Sequence, residues 1–191
     1  IAFDRRGHGR SDQPYDYGID TLADDIATVL EAHEVKDVTL IGHSMGCNEI
    51  VRYLSRHGAA RVAKIALIAP MTPYLLKTAD NPDGIEGAMF ETMRAQWRKD
   101  FPKWLIDNSR PFFAPQTSQA MIDWGMAMMA QIPVHIALAC NRTLVETDFR
   151  PDCNAVKVPA LIVHGTADAS APLPLTGKRT AELIPASAFI I

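Results

Sequence analysis

Val38-Thr39-Leu40-Ile41-Gly42-His43-Ser44-Met45-Gly46 is the stretch on which the reading of this chain turns. It sets a G-x-S-x-G pentapeptide, Gly42 to Gly46, directly behind a short apolar run. A buried strand, a sharp turn carrying a serine, and then a helix are what a nucleophile elbow requires. The pentapeptide alone arises by chance in roughly one chain in twenty of this size at average residue usage. The flanking pattern therefore carries the weight. After Met45, the residues Ile50, Val51 and Leu54 recur at helical spacing, and Gly58 stands where a helix end favours glycine. Gly42 and Gly46 are small enough to let strand and helix approach closely.

Outward from the elbow, the chain has 191 residues, 48% of them hydrophobic, which suits one domain with an insertion. Up to about Pro70, short apolar runs alternate with helical periodicity, the mark of parallel βαβ units. Ile1 to Asp4 reads as the tail of a buried strand, followed by the glycine-rich Arg6-Gly7-His8-Gly9. A helix is expected over about Asp20 to His33, with Leu22, Ile26, Val29, Leu30 and His33 on one face and Asp20 or Thr21 as cap. Val38 to Ile41 reads as a strand buried on both sides, and Ile65 to Ala69 as another.

Between about Met71 and Asp152 the texture changes. No strand-like run occurs there, and prolines punctuate helical stretches such as Met89-Met93-Trp97 and Gln119 to Ala130. The sheet pattern resumes at Val158 to Val163, with a helix over about Pro174 to Ile184 and a strand starting near Ser187. The expected fold class is α/β, a mostly parallel sheet flanked by helices. Residues 1–70 form the first part of the core, 71–152 a helical cap insertion, and 153–191 the second part. Because both ends read as interrupted strands, the chain is expected to be truncated at both termini.

Composition narrows the function. The net charge of −3 offers no basic face for nucleic acid or an anionic membrane. No apolar run approaches the roughly 18 residues that span a bilayer. Three cysteines (Cys47, Cys140 and Cys153) make no disulfide framework and fit a reducing, cytoplasmic setting. No metal-ligand spacing is present and no G-x-G-x-x-G follows a strand, so neither metal nor cofactor is expected. The expected partner is a small molecule, and a homo-oligomer is compatible with the composition.

Ser44 is the candidate nucleophile, since a serine needs exposure at a strand's carboxyl end and a base to take its proton. The N–H of Met45, at the helix start, is the candidate oxyanion donor. Asp168, in His164-Gly165-Thr166-Ala167-Asp168 behind the strand, can orient an imidazole in the chain order Ser…Asp…His. None of the six histidines follows Asp168. His8, His43 and His164 flank strand ends, where loop hydrogen bonding is the expected role. The base is expected in the loop after the strand near Ser187, past Ile191.

These residues in combination resemble the α/β-hydrolase superfamily, and within it the bacterial non-heme chloroperoxidase and aryl-esterase (perhydrolase) group. Supporting stretches are Phe3 to Ser11, Gly42 to Gly46, Arg52 to Gly58, Arg61 to Lys64, Leu76 to Thr78, Met121 to Trp124, Glu146 to Phe149 and His164 to Asp168. Cys47 departs from the glycine, and Thr166 from the aspartate, common in that group. The resemblance implies Ser44 as nucleophile, Met45 as oxyanion donor and Asp168 as triad acid. It also implies hydrolysis of small, largely apolar esters and peracid formation without metal or haem. A lactonase, a C–C bond hydrolase or a non-catalytic ligand-binding member of the same fold are the alternatives. Without its base, the chain as given is expected to show little triad-dependent activity. His43, Trp124, Met126 and Met129 are candidates for an apolar acyl pocket under the cap, with packing of the cap as the competing role.

Overall fold

Four strands, β1 (Val38–His43), β2 (Val62–Ile68), β3 (Ala160–Val163) and β4 (Ser187–Ile190), pair in that order into one parallel sheet. They are seen in a computed structural model that describes residues 1–191. Parallel neighbours need crossovers, and helices supply them. α1 (Ile19–Ala32) precedes β1, and α2 (Met45–His57) joins β1 to β2. Between β2 and β3 lie α3 (Gly87–Asp107), α4 (Gln119–Met129), α5 (Val134–Glu146) and α6 (Arg150–Ala155), with no strand among them. α7 (Gly177–Leu183) joins β3 to β4.

The register sorts side chains onto two faces. Leu40, Gly42, Ile65, Leu67, Ala160 and Ile162 share one face. Against it pack Leu22, Ile26 and Leu30 of α1, Ile50, Val51 and Leu54 of α2, and Cys153 of α6, in one core cluster. Ile41, Ala66, Leu161 and Ala188 make a row across the other face, and Ile68, Val163 and Ile190 continue the next. That face is open: Ile41 is 70% and Ile190 54% exposed. The expectation that the first elbow strand is buried on both sides is therefore corrected. It is apolar on both faces but lies at the sheet edge, and helices cover only one side of it.

Ile1 to Asp4 is corrected too. It forms no ladder with any strand, and Ile1 is 81% exposed. A groove of about 330 Å3 separates Ile1, Ala2 and Phe3 from Leu40, Ile41 and Gly42 of the edge strand. The groove keeps this apolar run off the free edge of β1, so no ladder forms between them.

α1 starts at Gly18 rather than at a side-chain cap. The Asp16 carboxylate instead accepts from the Gly18 N–H at 2.8 Å and from the Thr21 hydroxyl. α7 is shorter than expected because Pro172, Leu173 and Pro174 form a turn, in which the Pro172 carbonyl accepts from the Leu175 and Thr176 N–H groups. α3 breaks its helical angles at Asp100 (φ −162°, ψ 87°), two residues before Pro102. Ile136 and Cys140 of α5, Phe149 and Cys153 belong to the main core, and α6 runs across the position between Asp152 and Cys153. Leu105, Ile122 and Met126 form a small cluster of their own. No helix is long and apolar enough to cross a membrane.

Candidate active site

Ser44 sits between β1 and α2 with φ 52° and ψ −121°, a backbone conformation that L-residues other than glycine rarely hold. Neighbouring contacts impose it. The Ser44 N–H donates to the Ile68 carbonyl at 3.0 Å, and the Ser44 carbonyl accepts from the Cys47 N–H at 3.0 Å. Behind the turn, the Cys47 thiol reaches the carbonyls of Gly42 (3.3 Å) and Ile68 (3.5 Å). Burial pushes this thiol up to about 12, so it stays protonated as a donor. A Cβ at Gly42 would lie 2.7 Å from the Gly46 carbonyl carbon and 2.8 Å from Ile50 Cδ1. A Cβ at Gly46 would meet nothing within 4 Å. Close approach therefore explains Gly42, and the same expectation for Gly46 is corrected.

The Ser44 side chain is half-buried, and its hydroxyl makes no hydrogen bond within the chain. Met45, the first residue of α2, is buried, and its N–H lacks an intrahelical acceptor. Such an N–H at the positive end of the helix dipole is free for a developing oxyanion.

The last rung of the sheet aligns the loops that follow it. The Ser44 N–H goes to Ile68 O, the Ala69 N–H to Val163 O (2.8 Å) and the His164 N–H to Ile190 O (3.0 Å). The elbow and the loop carrying Asp168 thus leave the same edge of the sheet. They are two strand spacings apart, about 10 Å. Asp168 Oδ1 accepts from the N–H groups of Ser170 (2.9 Å) and Ala171 (2.8 Å). Oδ2 has no hydrogen bond and stands 3.6 Å from His164 Nε2.

The four pocket candidates do not form one cluster. Met126 packs with Leu105 and Ile122, and Met129 lies against the same cluster. That cluster borders a groove of about 280 Å3 between α3 and α4. Trp124 is 59% exposed on α4, and His43 is exposed at the end of the edge strand. Met126 and Met129 are taken up by packing within the helical segment, the outcome their spacing on an amphipathic helix equally allowed. Elsewhere, His57 pairs with Asp24 at 2.6 Å, and His8 Nδ1 donates to the Arg6 carbonyl at 3.0 Å while burial lowers the pKa of its ring. No three His, Cys, Asp or Glu side chains converge as metal ligands.

One feature escaped the sequence reading. Arg5 ion-pairs with Glu49, tying the glycine-rich loop to α2 one turn beyond the elbow. Burial pushes the Glu49 carboxyl up against the opposing pull of Arg5. A charged residue beside Ile50 and Val51 on an inward helix face was the available signal. His164 makes a loop hydrogen bond as expected, its Nε2 lying 2.7 Å from the Ala171 carbonyl, and its ring is fully buried while its loop is exposed.

The model of a family described as alpha/beta hydrolase fold matches residues 1–191. Non-heme chloroperoxidase CPO-A1 of Kitasatospora aureofaciens is 36% identical over 97% of this chain and 70% of its own length. The bifunctional esterase/perhydrolase DCH of Acinetobacter calcoaceticus is 34% identical over 96% of this chain and 69% of its own. Among solved structures, a bromoperoxidase from Bacillus anthracis superposes with a TM-score of 0.93 at 36% identity, covering 98% of this chain and 71% of that one.

Proposed function

The chain belongs to the alpha/beta hydrolase family, and from that footing we propose that it carries the nucleophile and acid of a serine hydrolase acting on small, largely apolar carboxylic esters. The observation that carries this reading is the strained Ser44 at the sheet edge that also bears Asp168. Ser44 Oγ attacks the acyl carbon while an imidazole takes its proton. The Met45 N–H receives the oxyanion, and Asp168 Oδ2 holds the imidazole in the right tautomer. The tetrahedral intermediate expels the alcohol, which takes the proton back, and an acyl-Ser44 remains. Water then releases the acid, whereas hydrogen peroxide in its place releases a peracid. The relative named as a bifunctional esterase/perhydrolase supports the second outcome.

The base is assigned to a histidine encoded after Ile191. β4 lies directly beside β3, so residues leaving its carboxyl end emerge next to Asp168. The test uses the protein expressed from its complete gene, with p-nitrophenyl acetate as substrate. Ser44→Ala is expected to lower kcat by at least about 10^4-fold. Activity within tenfold of the parent would refute Ser44 as nucleophile.

A further inference from the structure

We infer that His164 is the positioning residue for Asp168: it locks the loop so that Oδ2 stays free and aimed while Oδ1 is held. This rests on the reading of Asp168 as the acid that orients the base. His164 is the first residue past β3, and its side chain is fully buried. A buried imidazole needs partners. Nε2 lies 2.7 Å from the Ala171 carbonyl, so that nitrogen carries the proton and donates it. The N–H of the same Ala171 donates to Asp168 Oδ1 at 2.8 Å. Ala171 is therefore gripped from both sides, and His164, Ala171 and Asp168 form one hydrogen-bonded unit. Within that unit Oδ2 is left without a donor, 3.6 Å from the ring.

The ring has no room to turn away. A Cβ on Gly177, at the start of α7, would land on His164 Nδ1 and lie 2.9 Å from Cγ. Glycine at that position is what lets the imidazole fit between its loop and the helix. Gly165, Thr166 and Ala167 are all exposed, so nothing else in the first half of the loop ties it to the core. Apart from this contact, Asp168 is held only by its own turn, and ordering such a segment carries a cost in backbone entropy. A misplacement near 1 Å at a catalytic group can cost about 10^2-fold in rate.

The test compares His164→Leu, His164→Gln, Gly177→Ala and Asp168→Asn in the protein expressed from its complete gene. It uses p-nitrophenyl acetate, with kcat counted per folded molecule. His164→Leu removes the donor, and kcat should fall about 10- to 100-fold with KM within twofold. The acid limb of kcat/KM should move to lower pH, since a poorly aimed carboxylate stabilises the imidazolium less. His164→Gln, whose amide nitrogen reaches the place of Nε2, should recover kcat to within about threefold. Gly177→Ala displaces the ring without deleting it and should reproduce the kcat loss and the shifted limb, which settles the matter if His164→Leu does not fold. A role in stability alone would lower the melting temperature and leave kcat and the limb in place. That result in His164→Leu, or in Gly177→Ala where His164→Leu does not fold, overturns the inference. Asp168→Asn separates the two layers. If it is inactive while the His164 and Gly177 variants match the parent, only the positioning role fails. If it stays active, the reading of Asp168 fails and this inference with it.

Discussion

At Ser44 a positive φ on a non-glycine residue costs of order 1–3 kcal/mol and persists only because its surroundings over-determine it. Three contacts do so: the Ile68 carbonyl on its N–H, the Cys47 N–H on its carbonyl, and the Cys47 thiol on the carbonyls of Gly42 and Ile68. The two glycines of the elbow should behave oppositely. Gly42→Ala forces a methyl against the Gly46 backbone and Ile50, and should cost about 1–3 kcal/mol in urea unfolding. Gly46→Ala meets open space within the first turn of α2 and should leave stability unchanged or raise it by up to about 1 kcal/mol. Equal losses at both positions would show that the packing account of the elbow is wrong. Ser44 was legible in the sequence because the elbow is a local motif, fixed by five adjacent residues. His164 was legible only as a loop histidine, because its partners, Ala171 and Gly177, are set by how the loop folds back rather than by any spacing.

Among the elements, the segment leaving β2 is tied to the entry of α6 by one guanidinium. Arg150 reaches Asp80 Oδ2 and Asp148 Oδ2 at 2.7 Å each and stacks over the Tyr74 ring. The Thr78 hydroxyl and Arg150 hold the Asp80 carboxyl below the ordinary 3.8. Partial burial pushes Asp148 up, but hydrogen bonds from Arg150 bring it below 3.8 as well. Both groups therefore bind protons more weakly folded than unfolded. Their contribution to stability is present above pH 3.8 and is lost as the pH falls below it. Arg150→Ala should lower the melting temperature at pH 7, and the gap to the parent should shrink towards pH 3. A gap that stays constant over that range would mean that Arg150 acts through packing alone. The helices were readable from periodicity: α2 and α4 start within a residue or so of expectation, and Gly58 closes α2 with φ 74°. Their ends and caps were less so. α7 lost its first turn to two prolines, and the Asp16 side chain took over work that Asp20 or Thr21 was expected to do.

For the whole molecule, short apolar runs between helical stretches identified β1 to β4 and their parallel sense, but they also marked Ile1 to Asp4 as a strand and could not say which faces are covered. A strand with apolar residues on both sides reads as doubly buried whether or not a second layer is present, because periodicity reports what a face is made of and not what lies on it. Here one face carries Ile41, Ile68 and Ile190 into the open, with Leu161 and Val163 between them. A contiguous apolar surface of this kind favours association. The polypeptide of residues 1–191 should therefore bind the dye ANS and associate as its concentration rises, read by fluorescence and light scattering. Ile41→Thr with Ile190→Thr keeps β-branched side chains on the strands while removing apolar area. Because both sites are largely exposed, the pair should reduce dye binding and association while shifting unfolding by no more than about 0.5 kcal/mol per site. Dye binding that persists undiminished in the double variant would move the sticky surface elsewhere. The groove between α3 and α4, lined by Leu105, Ile122 and Met126, is another apolar concavity able to account for it.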